Sequence, residues 1–234
     1  MPGSTQLTTT QKKSRILEQT REYLYPGRVE RLLEGGIDLV PGRREGYRLW
    51  DVDGRELLDL HLNGGTFSLG HRNPELSRIL SEGLADWDVG NHHFGSEPKV
   101  ALAKALVEAA PGDMQYAVLT CGGSEAVEVA IKSARWATGR RRIVSIDAGF
   151  HGRTGLSGAA GNDEVAQFFL SDRPEEFTKV PFNDLDAMRA ALRNGRIAAV
   201  LLETIPATCG FPVPDDDYLP GVKALCEEYG ALYI

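Results

Sequence analysis

Two glycine-bearing turns and one strand end carry the polar groups on which a small molecule could be held. The first turn, Thr120-Cys121-Gly122-Gly123-Ser124-Glu125-Ala126, joins an apolar run to a helical one. The amides of Gly123 and Ser124 would open the helix, where backbone N–H groups lack intrahelical partners and the macrodipole is positive. With the Ser124 hydroxyl beside them and glycines that admit close approach, they suit a phosphate. The same spacing also fits an ordinary capped helix with Ser124 as N-cap and no ligand. It is neither G-x-G-x-x-G nor a P-loop, and Lys132 lies too deep in the helix to act as a P-loop lysine.

The second turn, Asp147-Ala148-Gly149-Phe150-His151-Gly152-Arg153-Thr154, follows a short apolar strand. An aromatic at such an edge can stack on a flat heteroaromatic ring with His151 flanking it. Equally, Phe150 can plug the core while His151 meets solvent. The strand end is Leu201-Leu202-Glu203-Thr204. A carboxylate there can position a phenol or an amine, or it can be one more surface Glu.

The elements that would carry these segments alternate. Residues 1–13 are polar and Thr/Gln-rich and read as a flexible leader. Ser14–Tyr25 has helical periodicity and ends at Pro26-Gly27, with a shorter helix over Arg28–Leu33. Asp51-Val52-Asp53-Gly54 turns a hairpin between Tyr47–Trp50 and Glu56–Leu60. A glycine-rich passage from Asn63 leads to helices from Pro74 to about Trp87 and from Pro98 to Ala110. Strands are then expected at Tyr116–Thr120, Ile143–Ile146, Ile197–Leu202 and Ala231–Ile234, with helices at Glu125–Thr138, Leu185–Arg193 and Tyr218–Tyr229. That rhythm indicates an α/β fold, a mostly parallel sheet covered by helices on both faces. Residues 14–75 form an N-terminal segment, part of a small domain, and residues 76–234 the first part of a larger one. The apolar strand Ala231–Ile234 has nothing after it, so the large domain reads as cut short.

Composition narrows the class. A net charge of -7 over 234 residues argues against a nucleic-acid or acidic-membrane surface. The runs Arg43-Arg44 and Arg140-Arg141-Arg142 read as solvated turn ends. Cys121, Cys209 and Cys226 have no paired spacing, so neither a disulfide framework nor a zinc site is indicated, no metal is expected, and a cytoplasmic location fits. No apolar run approaches the roughly 18 residues of a membrane span.

Taken together and in order, five motifs resemble the class III (ω-) aminotransferases that use pyridoxal 5'-phosphate (PLP). Trp50-Asp51-Val52-Asp53-Gly54 looks like the family's early turn, and Leu69-Gly70-His71-Arg72-Asn73-Pro74 like its Leu-Gly-His-x-x-Pro. Thr120 to Arg135 is similar to its phosphate loop and helix, Phe150-His151-Gly152-Arg153-Thr154 to its aromatic-His-Gly-Arg-Thr, and Leu201-Leu202-Glu203 to its strand ending in Glu. The resemblance runs from about Gly36 to Ile234 and implies fold type I. By that resemblance Gly123 and Ser124 bind the PLP phosphate, Phe150 stacks on the pyridine ring with His151 beside it, and Glu203 sits near the phenolic oxygen and the substrate amine. Gly65, Thr66 and Phe67 would lie near the substrate entrance, and His93 and Phe94 near a dimer interface. Cys121-Gly122 departs from the usual Asn-Ser, and Thr204 from the usual Pro.

The expected activity of the complete protein is transfer of an amino group from a small-molecule donor to an oxo acid or aldehyde, in a homodimer. The Schiff-base lysine and the Asp that pairs with the pyridinium nitrogen are expected beyond Ile234, so no catalytic lysine is assigned here and this chain alone is expected to be inactive. The lysines from Lys99 onward read as helix or turn positions. Three rivals stand beside this reading. One is other PLP chemistry on the same fold, as an aminomutase, racemase or decarboxylase. Another is a nicotinamide-dependent Rossmann enzyme, which needs the G-x-G-x-x-G that is absent. The third is a scaffold without catalysis.

Overall fold

The computed structural model describes residues 8–87, 93–193 and 195–234. The chain divides into two compact units, Met1–His93 and Phe94–Ile234.

In the first unit, α1 (Thr9–Tyr23) starts earlier than its apolar periodicity suggests. Thr8 accepts from the Gln11 amide and the Gln11 side chain accepts from the Thr8 amide, a capping box that nucleates the helix inside the expected leader. Lys13, placed by sequence in that leader, is buried, with Nζ 2.7 Å from Asp38, 2.8 Å from Asp51 and 3.0 Å from Asp53. Pro26 does not merely stop α1. It sits at the start of α2 (Pro26–Glu34), where its missing N–H costs nothing.

The hairpin is a three-stranded antiparallel sheet, β1 (Pro41–Glu45), β2 (Arg48–Asp51) and β3 (Glu56–Leu58), in that order. Strand β1 is polar and carries no alternation, so only its pairing with β2 defines it. Arg43 is solvated as expected but lies in β1 and not at a turn end; it sits 4.6 Å from the Trp50 ring centroid and pairs with Glu45. Helix α3 (Pro74–Asp86) is capped by Asn73, whose side chain accepts from the Glu75 and Leu76 amides. A two-way backbone bridge between Gly46 and His71 ties the residues just before α3 to the hairpin.

The second unit begins with α4 (Glu97–Ala109) and α5 (Gly123–Thr138), followed by β4 (Arg142–Ile146), α6 (Gly155–Ala160) and α7 (Asp163–Phe168). Next come β5 (Phe177–Val180), α8 (Leu185–Arg193), β6 (Ile197–Val200), α9 (Tyr218–Tyr229) and β7 (Leu232–Tyr233). The four strands are parallel in the order β5-β4-β6-β7. Both faces are covered. Ile143 and Phe177 pack with Ile131, Ala134 and Ala159, while Val144 and Val180 pack with Met188, Leu192, Val222 and Leu225. Sealing each of these larger side chains from water contributes about 1.5–3 kcal/mol, and neighbouring β4 residues serve opposite faces.

Three expectations are corrected here. Residues 116–120 form no strand: none of the described strands pairs with them, and Tyr116 and Val118 are exposed. An apolar run becomes a strand only when a neighbour takes its N–H and C=O groups. Arg140 is an internal brace, since its guanidinium donates to the carbonyls of Ile197, Tyr229 and Gly230 at 3.0, 3.0 and 2.8 Å. Lys179 lies in strand β5, its side chain 7% exposed and paired with Asp163.

Candidate functional site

Strand β4 is flanked by β5 on one side and β6 on the other, so the connection after β4 and the connection after β5 run in opposite directions across the sheet. In an open parallel sheet, such a reversal opens a crevice beyond the strands' carboxyl ends. The segments after β4 and β6 meet there: the Phe150 N–H donates to Glu203 Oε2 at 2.8 Å. Phe150 keeps 46% of its surface exposed, and the Arg153 guanidinium lies 5.6 Å from its ring centroid.

The start of α5 joins the same cluster. Its N-cap is Gly122, not Ser124, and among the described residues no side chain caps the helix at that position. A Cβ placed on Gly122 or Gly123 would meet nothing within 4 Å, so the backbone there is open to a ligand. Ser124 Oγ accepts the Arg153 N–H at 3.1 Å, which draws the loop after β4 onto the first turn of α5. Gly152 permits the approach. It has φ +129°, and a Cβ there would fall 2.5 Å from Ser124 Oγ and 2.6 Å from Ser157 Oγ.

His151 is buried, and its Nε2 has no hydrogen-bond partner among the described residues. Burial holds its pKa below the ordinary value, Glu203 opposes that shift and Lys179 adds to it, so the ring is neutral near pH 7. A neutral imidazole with one open nitrogen can accept or donate a single hydrogen bond to a ligand.

The structure therefore brings Gly123, Ser124, Phe150, His151 and Glu203 together in one unit. Thr66 and Phe67 belong to the other unit: Thr66 is exposed and its hydroxyl donates to Asn63 O at 3.0 Å, while Phe67 packs 4.7 Å from the His71 ring. His93 and Phe94 are exposed at the boundary between the units. Two contributors were not picked out from sequence. Thr208, in the stretch that follows Glu203, donates to Ala148 O at 2.9 Å and clasps that stretch to the turn after β4. Glu128 accepts from the Ser157 amide at 2.9 Å and from the Thr154 hydroxyl at 3.1 Å. Its i,i+4 spacing from Ser124 was the available signal. Among the described residues no group of three or more His, Cys, Asp or Glu could hold a metal ion, and no helix is long and apolar enough to cross a membrane.

Comparison with known proteins gives a consistent set of relatives. The family model described as aminotransferase class-III matches residues 34–234. An uncharacterized aminotransferase of Archaeoglobus fulgidus is 45% identical over 222 residues, covering 95% of this chain and 52% of that protein. A glutamate-1-semialdehyde 2,1-aminomutase of Methanothrix thermoacetophila is 33% identical over 225 residues, covering 88% of this chain and 52% of that protein. Among solved structures, the taurine:2-oxoglutarate aminotransferase of Bifidobacterium kashiwanohense, in complex with PLP and glutamate, matches with a TM-score of 0.81 at 27% identity, over 98% of this chain and 55% of that one. The chain thus spans about half the length of the curated relatives it matches.

Proposed function

The chain belongs to the class-III aminotransferases, and from that premise we propose that it holds the phosphate and ring of PLP in an enzyme that moves an amino group from an amine or amino acid to an oxo acid or aldehyde. The observation that carries this reading is the meeting of an uncapped 16-residue helix, a half-exposed aromatic ring and a carboxylate at one sheet edge. The donor set fits PLP. Open amides and the positive end of α5 suit a phosphate dianion, the Phe150 face suits a pyridine ring, and the orphan His151 Nε2 offers one polar contact. Gly123 and Ser124 would hold the phosphate.

Bound here, PLP supplies an aldehyde that takes up the amino group and an electron-poor ring that accepts the electrons of a breaking Cα–H bond. This chain's residues bind and orient. Glu203 fixes the Phe150 backbone through one carboxylate oxygen and leaves the other for a phenol or an amine. Neutral His151 adds no positive charge beside the ring. We further infer a homodimer in the cytoplasm: α4 exposes Val100, Leu102 and Leu106 as an interface would, and all three cysteines are free thiols.

Likeness to an aminomutase keeps a second reaction open, transfer of an amino group within one molecule. One assay on the full-length protein separates the two. With PLP, an amine donor and an oxo acid, transamination gives a new amino acid and the donor's carbonyl product. Isomerisation of one substrate with no acceptor consumed points to the mutase. Failure of the wild-type protein to take up PLP sinks both.

A further inference from the structure

Ser124 and Glu128 lie four residues apart on α5 and so share one face of the helix. That face meets the loop between β4 and α6. Ser124 Oγ takes the Arg153 N–H at 3.1 Å, and one turn on, Glu128 Oε1 takes the Ser157 N–H at 2.9 Å and the Thr154 hydroxyl at 3.1 Å. The Gly155 backbone passes so close that a Cβ there would lie 3.5 Å from Glu128 Oε1. At the loop's other end Glu203 takes the Phe150 N–H. Two carboxylates from different elements therefore clamp the loop at its two ends.

The segment they clamp has little stability of its own. Helix α6 is Gly-Leu-Ser-Gly-Ala-Ala, six residues with two glycines, too short and too glycine-rich to persist without tertiary contacts. Ser145 Oγ holds its C-terminal end by donating to Ala160 O at 2.8 Å, and Glu128 holds its start. Ahead of α6, between Phe150 and Thr154, Gly152 is pressed against Ser124.

Resting on the PLP reading above, we propose that Glu128 is a positioning residue for the cofactor. It sets the distance between the Phe150 face and the amides at the start of α5 without touching the cofactor itself. A ring-stacking group and a phosphate cradle on separate elements bind one rigid ligand well only if their spacing is held to a fraction of an ångström.

The test measures PLP affinity and the induced circular dichroism of bound PLP in the full-length apoprotein, beside its melting temperature without PLP. Wild type, Glu128→Ala, Glu128→Gln and Thr154→Val are compared. Glu128→Ala is expected to raise the PLP Kd on the order of tenfold, the scale of a lost charge-assisted hydrogen bond, and also to lower the melting temperature, because its two hydrogen bonds are made without PLP as well. Glu128→Gln keeps an acceptor oxygen and restores affinity, while Thr154→Val removes one of the two donors and weakens binding less. A purely structural role would lower the melting temperature and leave Kd alone, which overturns the proposal, as does an equal loss in the Gln and Ala variants. If Glu128→Ala does not fold, wild-type affinity in Thr154→Val overturns it instead. A wild-type protein that takes up no PLP rejects the site reading itself, and this proposal with it.

Discussion

Glu203 Oε2 accepts the backbone N–H of Phe150 at 2.8 Å, across 53 residues of sequence. The bond joins the ends of two adjacent parallel strands, β4 and β6, and fixes the backbone from which the Phe150 ring projects. Glu203→Ala should cost about 1 kcal/mol in urea denaturation, because the bond is charge-assisted but partly solvated. It should also weaken PLP retention more than Glu203→Gln, whose amide oxygen still accepts. Equal PLP affinity in both variants and wild type would show that this bond does not set the ring's position.

Gly152 is the tightest point of the site. Alanine there would press a methyl onto Ser124 and Ser157 at a φ of +129° that side chains rarely adopt. Gly152→Ala should lose about 2 kcal/mol of stability by chemical denaturation and release PLP during dialysis. Gly122→Ala, where a Cβ meets open space and φ is extended, should fold as wild type does.

His151 predicts a pH dependence. Its folded pKa lies below its unfolded one because burial disfavours the imidazolium. Below about pH 6.5 the unfolded chain therefore binds more protons than the folded one, and stability falls as pH drops toward the folded pKa. Denaturation midpoints measured at pH 7 and pH 5.5 should differ in wild type and differ less in His151→Gln. Asp59 belongs to a lower window: its hydrogen bond with His71 depresses its pKa, so its contribution fades only below about pH 4. An unchanged pH slope in His151→Gln would mean that another group titrates.

Lys13 predicts a coupled pair of variants. Its ammonium sits among Asp38, Asp51 and Asp53, and the Asp51 side chain is fully buried. Lys13→Met should lower the melting temperature of the protein, because a buried carboxylate loses its counter-charge. Adding Asp51→Asn should recover part of that loss. Additive losses in the double variant would mean the two residues do not act as a pair.

What the sequence determined by itself is the set of elements whose order is local. Leu185–Arg193 lies where periodicity places it, and Tyr218–Tyr229 ends at Gly230, because a helix is built from near neighbours and Gly230 supplies the left-handed stop. The motif residues stood out for a related reason: Phe150 and Glu203 each follow the end of a strand, and Ser124 follows the glycine pair that opens a helix. Tertiary structure decided the rest. Strand β5, Phe-Thr-Lys-Val, is too short and mixed to announce itself and exists because β4 supplies its ladder, while residues 116–120 look like a strand and are not one for want of such a partner. Likewise α6 needs Glu128 and Ser145, and Lys13 is buried only because the hairpin's acids surround it. The Glu203–Phe150 bond, the Ser124–Arg153 bond and the orphaned His151 nitrogen arise between segments far apart in sequence. Local chemistry chooses helices and turns; which distant groups meet, and which are sealed from water, follows from the sheet order β5-β4-β6-β7 and the packing on its two faces.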